Sequence, residues 1–124
     1  MAGLILAYAL TVRGEEIVVS QPSTVNVPSA VVIRNIEDYI KEKNVRGLYE
    51  TAKCESNFRE TAVGDGGLAY GVMQFHEATF NWFKKLSGMT ELEYRNSYDQ
   101  VDLAVWAFQN NLNSHWSCWR KLVK

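Results

Sequence analysis

The chain lacks the surpluses that single out several protein classes. Its 13 Lys and Arg face 14 Asp and Glu, a formal charge of −1. That leaves no basic field with which to track a phosphate backbone, so nucleic acid is excluded as a partner. Two cysteines allow one intramolecular disulfide and no disulfide framework. With two histidines and no C-x-x-C or H-x-x-x-H spacing, there is no zinc-site pattern. The N-terminal apolar run, residues 2–12 (AGLILAYALTV), is eleven residues long. A bilayer span needs about 20, so no stable membrane span is expected. What remains is 124 residues, 47% hydrophobic and 22% charged. Those are the proportions of one soluble globular domain with its own core, and they exclude disorder and low-complexity polymers.

The first 28 residues differ from the rest. The length of the 2–12 run suits the apolar middle of a secretory signal, and Ala7-Tyr8-Ala9 has the small-x-small form of a cleavage site. The alternative is a first helix or strand packed on the domain. Residues 14–28 are β-branched and proline-bounded with no helical period, which predicts an extended linker or an isolated strand. We therefore expect an N-terminal segment over 1–28 and a folded domain over 29–124.

From residue 29 the pattern is helical. Val32, Ile36, Tyr39 and Ile40 form one apolar stripe, with Glu37, Asp38, Lys41 and Glu42 turned away. Asn44 is placed to cap a second helix ending near Ser56, and residues 77–86 form a third, stopped by Gly88. Thr90 with Glu93, and Ser97 with Gln100, have capping-box spacing and predict two more helix starts. The last long helix carries Val101, Ala104, Val105, Phe108 and Leu112 on one side. The expected fold is mainly α, without internal repeats.

Two features carry chemistry. In the second helix the apolar stripe Val45, Leu48, Tyr49, Ala52 runs on to Glu55 and Ser56. A Glu on the core-facing side at a helix C-terminus is pushed toward its protonated form by desolvation and by the negative helix end. A carboxyl that keeps its proton is what a general acid needs. The competing reading has Glu55 bending out to solvent or pairing with Lys53 or Arg59. The second feature is residues 63–75, VGDGGLAYGVMQF, whose four glycines permit positive φ and close backbone approach to a ligand. No Gly-Lys-Ser/Thr follows, so it is not a phosphate-binding P-loop, and it does not match the dinucleotide fingerprint.

Taken together, Cys54-Glu55-Ser56-Asn57-Phe58 and Gly67-Leu68-Ala69-Tyr70-Gly71-Val72-Met73-Gln74-Phe75 resemble the lytic transglycosylases of the lysozyme-like superfamily. In that family a Glu-Ser pair ends a helix and a Gly-x-Met-Gln element follows; here Gly71 lies 16 residues after Glu55. The resemblance covers residues 31–83. The family's Ala-Tyr-Asn near the domain end is absent, and Asn110-Asn111 or His115-Trp116-Ser117-Cys118-Trp119 stands in that region. The resemblance implies a single lysozyme-like domain with a small glycine-rich β element facing the catalytic helix. It implies Glu55 as the single acid/base and Ser56 as a hydrogen-bonding residue that positions it or the substrate. Gly71 would let a sugar approach the backbone, and Met73 and Gln74 would contact the glycan. The implied reaction cleaves the β-1,4 bond between N-acetylmuramic acid and N-acetylglucosamine with closure of a 1,6-anhydro ring. It needs no metal or organic cofactor. The implied partner is peptidoglycan and the implied location is the cell envelope or the secreted fraction, for a protein expected to be monomeric.

Two alternatives stay open. A muramidase would use a second carboxylate, for which Asp65 in the glycine loop is the nearby candidate, although a loop Asp between glycines also reads as a turn former. A non-catalytic glycan-binding or structural module of the same fold is the other. If the domain is exported, Cys54 and Cys118 would bridge the catalytic helix to the C-terminal segment; otherwise both are buried thiols. Phe80, Phe83, Val105 and Phe108 fit helical stripes and are expected in the core. Tyr70, Trp116 and Trp119 are the candidate sugar-stacking aromatics, and His76 is expected at a helix cap or rim. Arg120, Lys121 and Lys124 form a small basic tail.

Overall fold

The computed structural model describes residues 34–124 in full and, by backbone alone, strands β1 (Tyr8–Val12) and β2 (Glu15–Val19). These two strands pair antiparallel, Tyr8 opposite Val19 and Val12 opposite Glu15. The strand in 14–28 is thus paired with β1 rather than isolated. The rest of the signal-segment and linker readings lies outside the described residues.

The core is helical. Helix α1 (Ile36–Lys43) opens at Asn35, whose side chain accepts a 2.8 Å hydrogen bond from the Asp38 amide. Asn44, expected to open the second helix, instead closes α1 in the left-handed region at φ 53°. Asn serves at either helix end, so its identity alone does not tell which. Helix α2 (Leu48–Ser56) starts after Gly47, at φ 83°. A Cβ at Gly47 would also stand 3.2 Å from the Trp119 ring, so glycine answers both constraints. Leu48 and Ala52 face inward on the expected stripe.

After α2 the chain forms a three-stranded antiparallel sheet of two-residue strands, β3 (Val63–Gly64), β4 (Ala69–Tyr70) and β5 (Phe75–His76), in that spatial order. A 3-10 turn, Asp65–Gly67, joins the first two. Helix α3 (Glu77–Ser87) ends at Gly88, φ 78°, as the sequence predicts. The helix expected from Thr90 and Glu93 does not form. The Glu93 amide instead donates to buried Asp99 at 2.8 Å, and residues 90–96 are turns. Helix α4 (Ser97–Gln109) is capped by Asn96, one residue before the expected Ser97. It stops short of Leu112, whose amide turns back to the Ala107 carbonyl at 2.8 Å. Helix α5 (Ser117–Leu122) completes the domain.

Ile40, Leu48, Val72, Met73, Phe80, Phe83, Val101, Leu103 and Ala104 are fully enclosed and join the helices and the sheet into one core. Phe75 sits at its centre, edge-to-face with Phe80 and Trp116 at centroid distances of 5.3 and 5.2 Å. Phe80, Phe83 and Phe108 are core residues as expected, and Val105 packs half-buried against them. Among the described residues no helix is long and apolar enough to cross a membrane.

Candidate active site

Glu55 occupies the penultimate position of α2. Immediately after Ser56 the chain turns away through two successive left-handed residues, Asn57 (φ 54°) and Phe58 (φ 63°). Glu55 is half-buried and lines a cleft of about 330 Å³ with Asp65, Gln74, His76, Ser117 and Arg120 among its neighbours. It does not pair with Lys53 or Arg59; the Arg59 Nε donates to the Ser56 carbonyl instead. Its Oε2 accepts a 3.3 Å hydrogen bond from the Cys118 amide, and Oε1 has no protein partner among the described residues. Burial pushes the Glu55 carboxyl above the ordinary glutamate range, and the nearby Asp65 charge adds to this. The Cys118 amide, Lys121 and Arg120 pull the other way without overcoming burial.

The two cysteines are joined, Cys54 to Cys118, with Cα atoms 5.9 Å apart. The bond fastens α5 to the end of α2, and so brings Ser117, the Cys118 amide and Arg120 to the cleft. Such a 64-residue separation removes loop-closure entropy worth about 4 kcal/mol from the unfolded chain.

The opposite wall is the sheet. Ser56 is buried, and its hydroxyl donates to the Val72 carbonyl at 2.8 Å, which ties the helix end to the β4–β5 connection. It therefore positions the Glu55-bearing helix end and offers no exposed group to a substrate. Gly71 is at φ 92°, and a Cβ there would lie 2.5 Å from Gln100 Nε2. Gln100 thus fills the side a Cβ would take, and Gly71 does not itself line the Glu55 cleft. Met73 is turned into the core. It is 0% exposed, its amide donates to Gln100 Oε1 at 3.0 Å, and its carbonyl accepts from Trp116 Nε1 at 2.8 Å. Gln74 does line the cleft, but its Nε2 is committed to the Ala62 and Gly71 carbonyls, both at 2.9 Å.

Asp65, at φ 51° in its turn, reaches the same cleft and bonds His76 Nε2 at 2.8 Å. It is both the turn former and a cleft residue. His76 stands at the first position before α3 without capping it through its side chain.

The aromatics divide differently from expectation. Tyr70 lines a separate cleft of about 490 Å³ with Leu68, Tyr94 and Arg95, adjoining the Glu55 cleft only at His76. The Arg95 guanidinium already covers its ring, 4.5 Å from the centroid. Trp116 is 4% exposed and forms the base of the cleft as a core residue rather than a stacking platform. Trp119 lies away from Glu55, beside Val45, Gly47, Phe108 and Leu122. That cavity is the larger one, about 580 Å³, and the carboxylate lining it, Glu50, is exposed, whereas Glu55 in the smaller cleft is half-buried.

Sequence reasoning placed Gln100 in a capping box and missed its buried role: it accepts from the Met73 amide and donates to the Tyr70 carbonyl of the sheet wall, and also to the Tyr94 carbonyl, the last two at 2.9 Å each. The signal was present. Gln100 shares the buried face of α4 with Leu103, Ala104 and Ala107, so it is a polar residue on a core stripe. It also missed Arg120 as a cleft residue, for which no local pattern exists. No cluster of three His, Cys, Asp or Glu able to hold a metal ion occurs among the described residues.

A short helix bundle, a small antiparallel sheet and a half-buried Glu at the helix end facing it define a lysozyme-like domain. Comparison with known families is more particular: the family model described as Transglycosylase SLT domain matches residues 34–123. The chain belongs to the transglycosylase SLT family, whose domains are of lytic-transglycosylase type and have peptidoglycan as substrate. No curated protein and no solved structure matches it in the corresponding searches.

Proposed function

We propose that this chain is a peptidoglycan lytic transglycosylase in which Glu55 is the only acid/base. The observation that carries the reading is a half-buried carboxyl inside a cleft, pushed toward its protonated form by burial, with one oxygen bonded by the Cys118 amide and the other unengaged among the described residues. Glu55 donates its proton to the glycosidic oxygen as the bond from the muramic-acid anomeric carbon breaks. The resulting carboxylate then takes the proton of the same sugar's 6-hydroxyl, whose oxygen closes on the anomeric carbon. The 1,6-anhydro ring forms, no water is consumed, and Glu55 regains its proton. Catalysis of this kind by one positioned carboxyl contributes about 10²–10⁴-fold. Peptidoglycan lies outside the cytoplasm, and the Cys54–Cys118 bond supports export to an oxidising compartment, with residues 29–124 as the catalytic unit of a monomer.

A muramidase reading draws on one observation, the presence of Asp65 in the Glu55 cleft. Against it, Asp65 Oδ2 is engaged by His76.

The test is a pH–rate profile of peptidoglycan solubilisation with wild-type protein and Glu55→Gln. Activity requires protonated Glu55, so the rate is expected to fall as pH rises through its elevated pKa, and the variant should lose about 10²–10⁴-fold. Stability should fall over the same pH range. The folded state holds the Glu55 proton better than the unfolded chain, so stability falls as pH rises from the ordinary glutamate range through the raised value. Glu55→Gln removes that loss and should melt at or above the wild-type temperature at neutral pH. A variant that keeps its activity would remove Glu55 from the mechanism.

A further inference from the structure

Arg120 is the one arginine or lysine lining the Glu55 cleft. Its Nη1 donates to the Ser114 carbonyl at 2.6 Å, which orients the guanidinium without neutralising it. Among the described residues no Asp or Glu forms an ion pair with it. The carboxylate across the cleft, Asp65, is bonded to His76. The disulfide two residues away fixes α5 against α2, and so holds the backbone that carries Arg120 beside the Glu55 helix end. The cleft therefore presents an oriented positive group that no ion pair balances among the described residues. Guanidinium matches a carboxylate in both charge and fork geometry.

From this geometry we propose that Arg120 is a specificity-determining residue that binds a carboxylate of the glycan substrate beside the scissile bond. The inference deepens the lytic-transglycosylase reading and rests on it for the identity of the substrate. Peptidoglycan offers that group from two sources: the lactyl substituent of muramic acid where it bears no peptide, and the acidic residues of the stem peptide where it does. An N-acetylglucosamine oligomer has neither.

Binding is measured by titration calorimetry in the Glu55→Gln protein, so that the result does not depend on cleavage. The three ligands are a muropeptide disaccharide carrying its stem peptide, the same disaccharide without peptide, and an uncharged N-acetylglucosamine oligomer. Adding Arg120→Ala should weaken binding of a carboxylate-bearing ligand about tenfold, and binding of the uncharged oligomer by less than about twofold. Adding Arg120→Lys should restore part of the loss, because the charge is kept and the fork is not. A loss confined to the peptide-bearing ligand assigns the stem-peptide carboxylate, and a loss on the peptide-free ligand assigns the lactyl group. Equal losses on all three ligands would show that Arg120 only braces the Ser114 turn, and no loss on any would remove it from recognition; either result overturns the proposal. The absence of anhydro products from wild-type protein would count against the proposed function and leave these affinities to decide the role of Arg120 separately.

Discussion

The two walls of the Glu55 cleft are built on different principles. The sheet wall, residues 63–76, has strands only two residues long, too few to hold themselves together. It is held by side chains from elsewhere that satisfy its backbone: Ser56 on the Val72 carbonyl, Gln100 on Met73 and Tyr70, Trp116 on the Met73 carbonyl. The tail wall, α5, is a six-residue helix at the chain end, and a single disulfide anchors it to α2. One wall is distributed and buried, the other covalent and local. Glu55 sits between them, its helix end tied to the sheet through Ser56 and its carboxyl bonded by the Cys118 amide.

The sharpest way to break this comparison is to cut the covalent wall. Replacing both cysteines by serine should destabilise the domain by about 4 kcal/mol in chemical denaturation. In the folded fraction α5 is no longer tied to α2; its detachment exposes Glu55 to water and takes away the burial that is the largest cause of its raised pKa, so the alkaline limb of the pH–rate profile should move downward. An unshifted profile would mean that α5 stays docked without the bond. Next in size is Gln100→Ala, which strips partners from one amide and one carbonyl of the sheet wall and from the Tyr94 carbonyl before α4. Unfolding should become easier by about 3 kcal/mol, with most of the activity lost at temperatures where the variant is still folded. If its denaturation midpoint stays at the wild-type value, the buried network does not support the wall. The smallest effect is expected at the exposed rim. Asp65→Asn should change stability by less than about 0.5 kcal/mol. It should also lower the alkaline limb slightly, because one charge that raises the Glu55 pKa is gone. A rate loss of about a hundredfold or more would instead make Asp65 a second catalytic carboxylate.

The same division governs what the sequence reveals. The placement of Glu55 is readable because α2 carries a regular apolar stripe on which a carboxylate is out of place, and the Gly88 stop is readable because glycine at φ 78° ends α3 cheaply. The sheet wall is readable as a motif but not as contacts. Gly71 and Met73 look like substrate-facing residues until the folded chain turns them onto Gln100 and Trp116, partners 29 and 43 positions downstream. The two-residue strands are too short to show alternation, and Asn44 and Ser97 sit one helix boundary away from the roles their residue types suggest. The tail wall is hardest to read. A six-residue helix has no full stripe, and only the cysteine pair hints that Ser117 and Arg120 reach the cleft.

The central claim is that one carboxyl, without a catalytic partner, cleaves the glycan and closes the ring. Mass spectrometry of purified peptidoglycan digested by the wild-type protein, beside a Glu55→Gln control, tests it most directly. Products should end in 1,6-anhydromuramic acid and be absent from the control. Ordinary reducing ends would show attack by water and contradict the account, and intact glycan from folded wild-type protein would reduce the domain to a binding module.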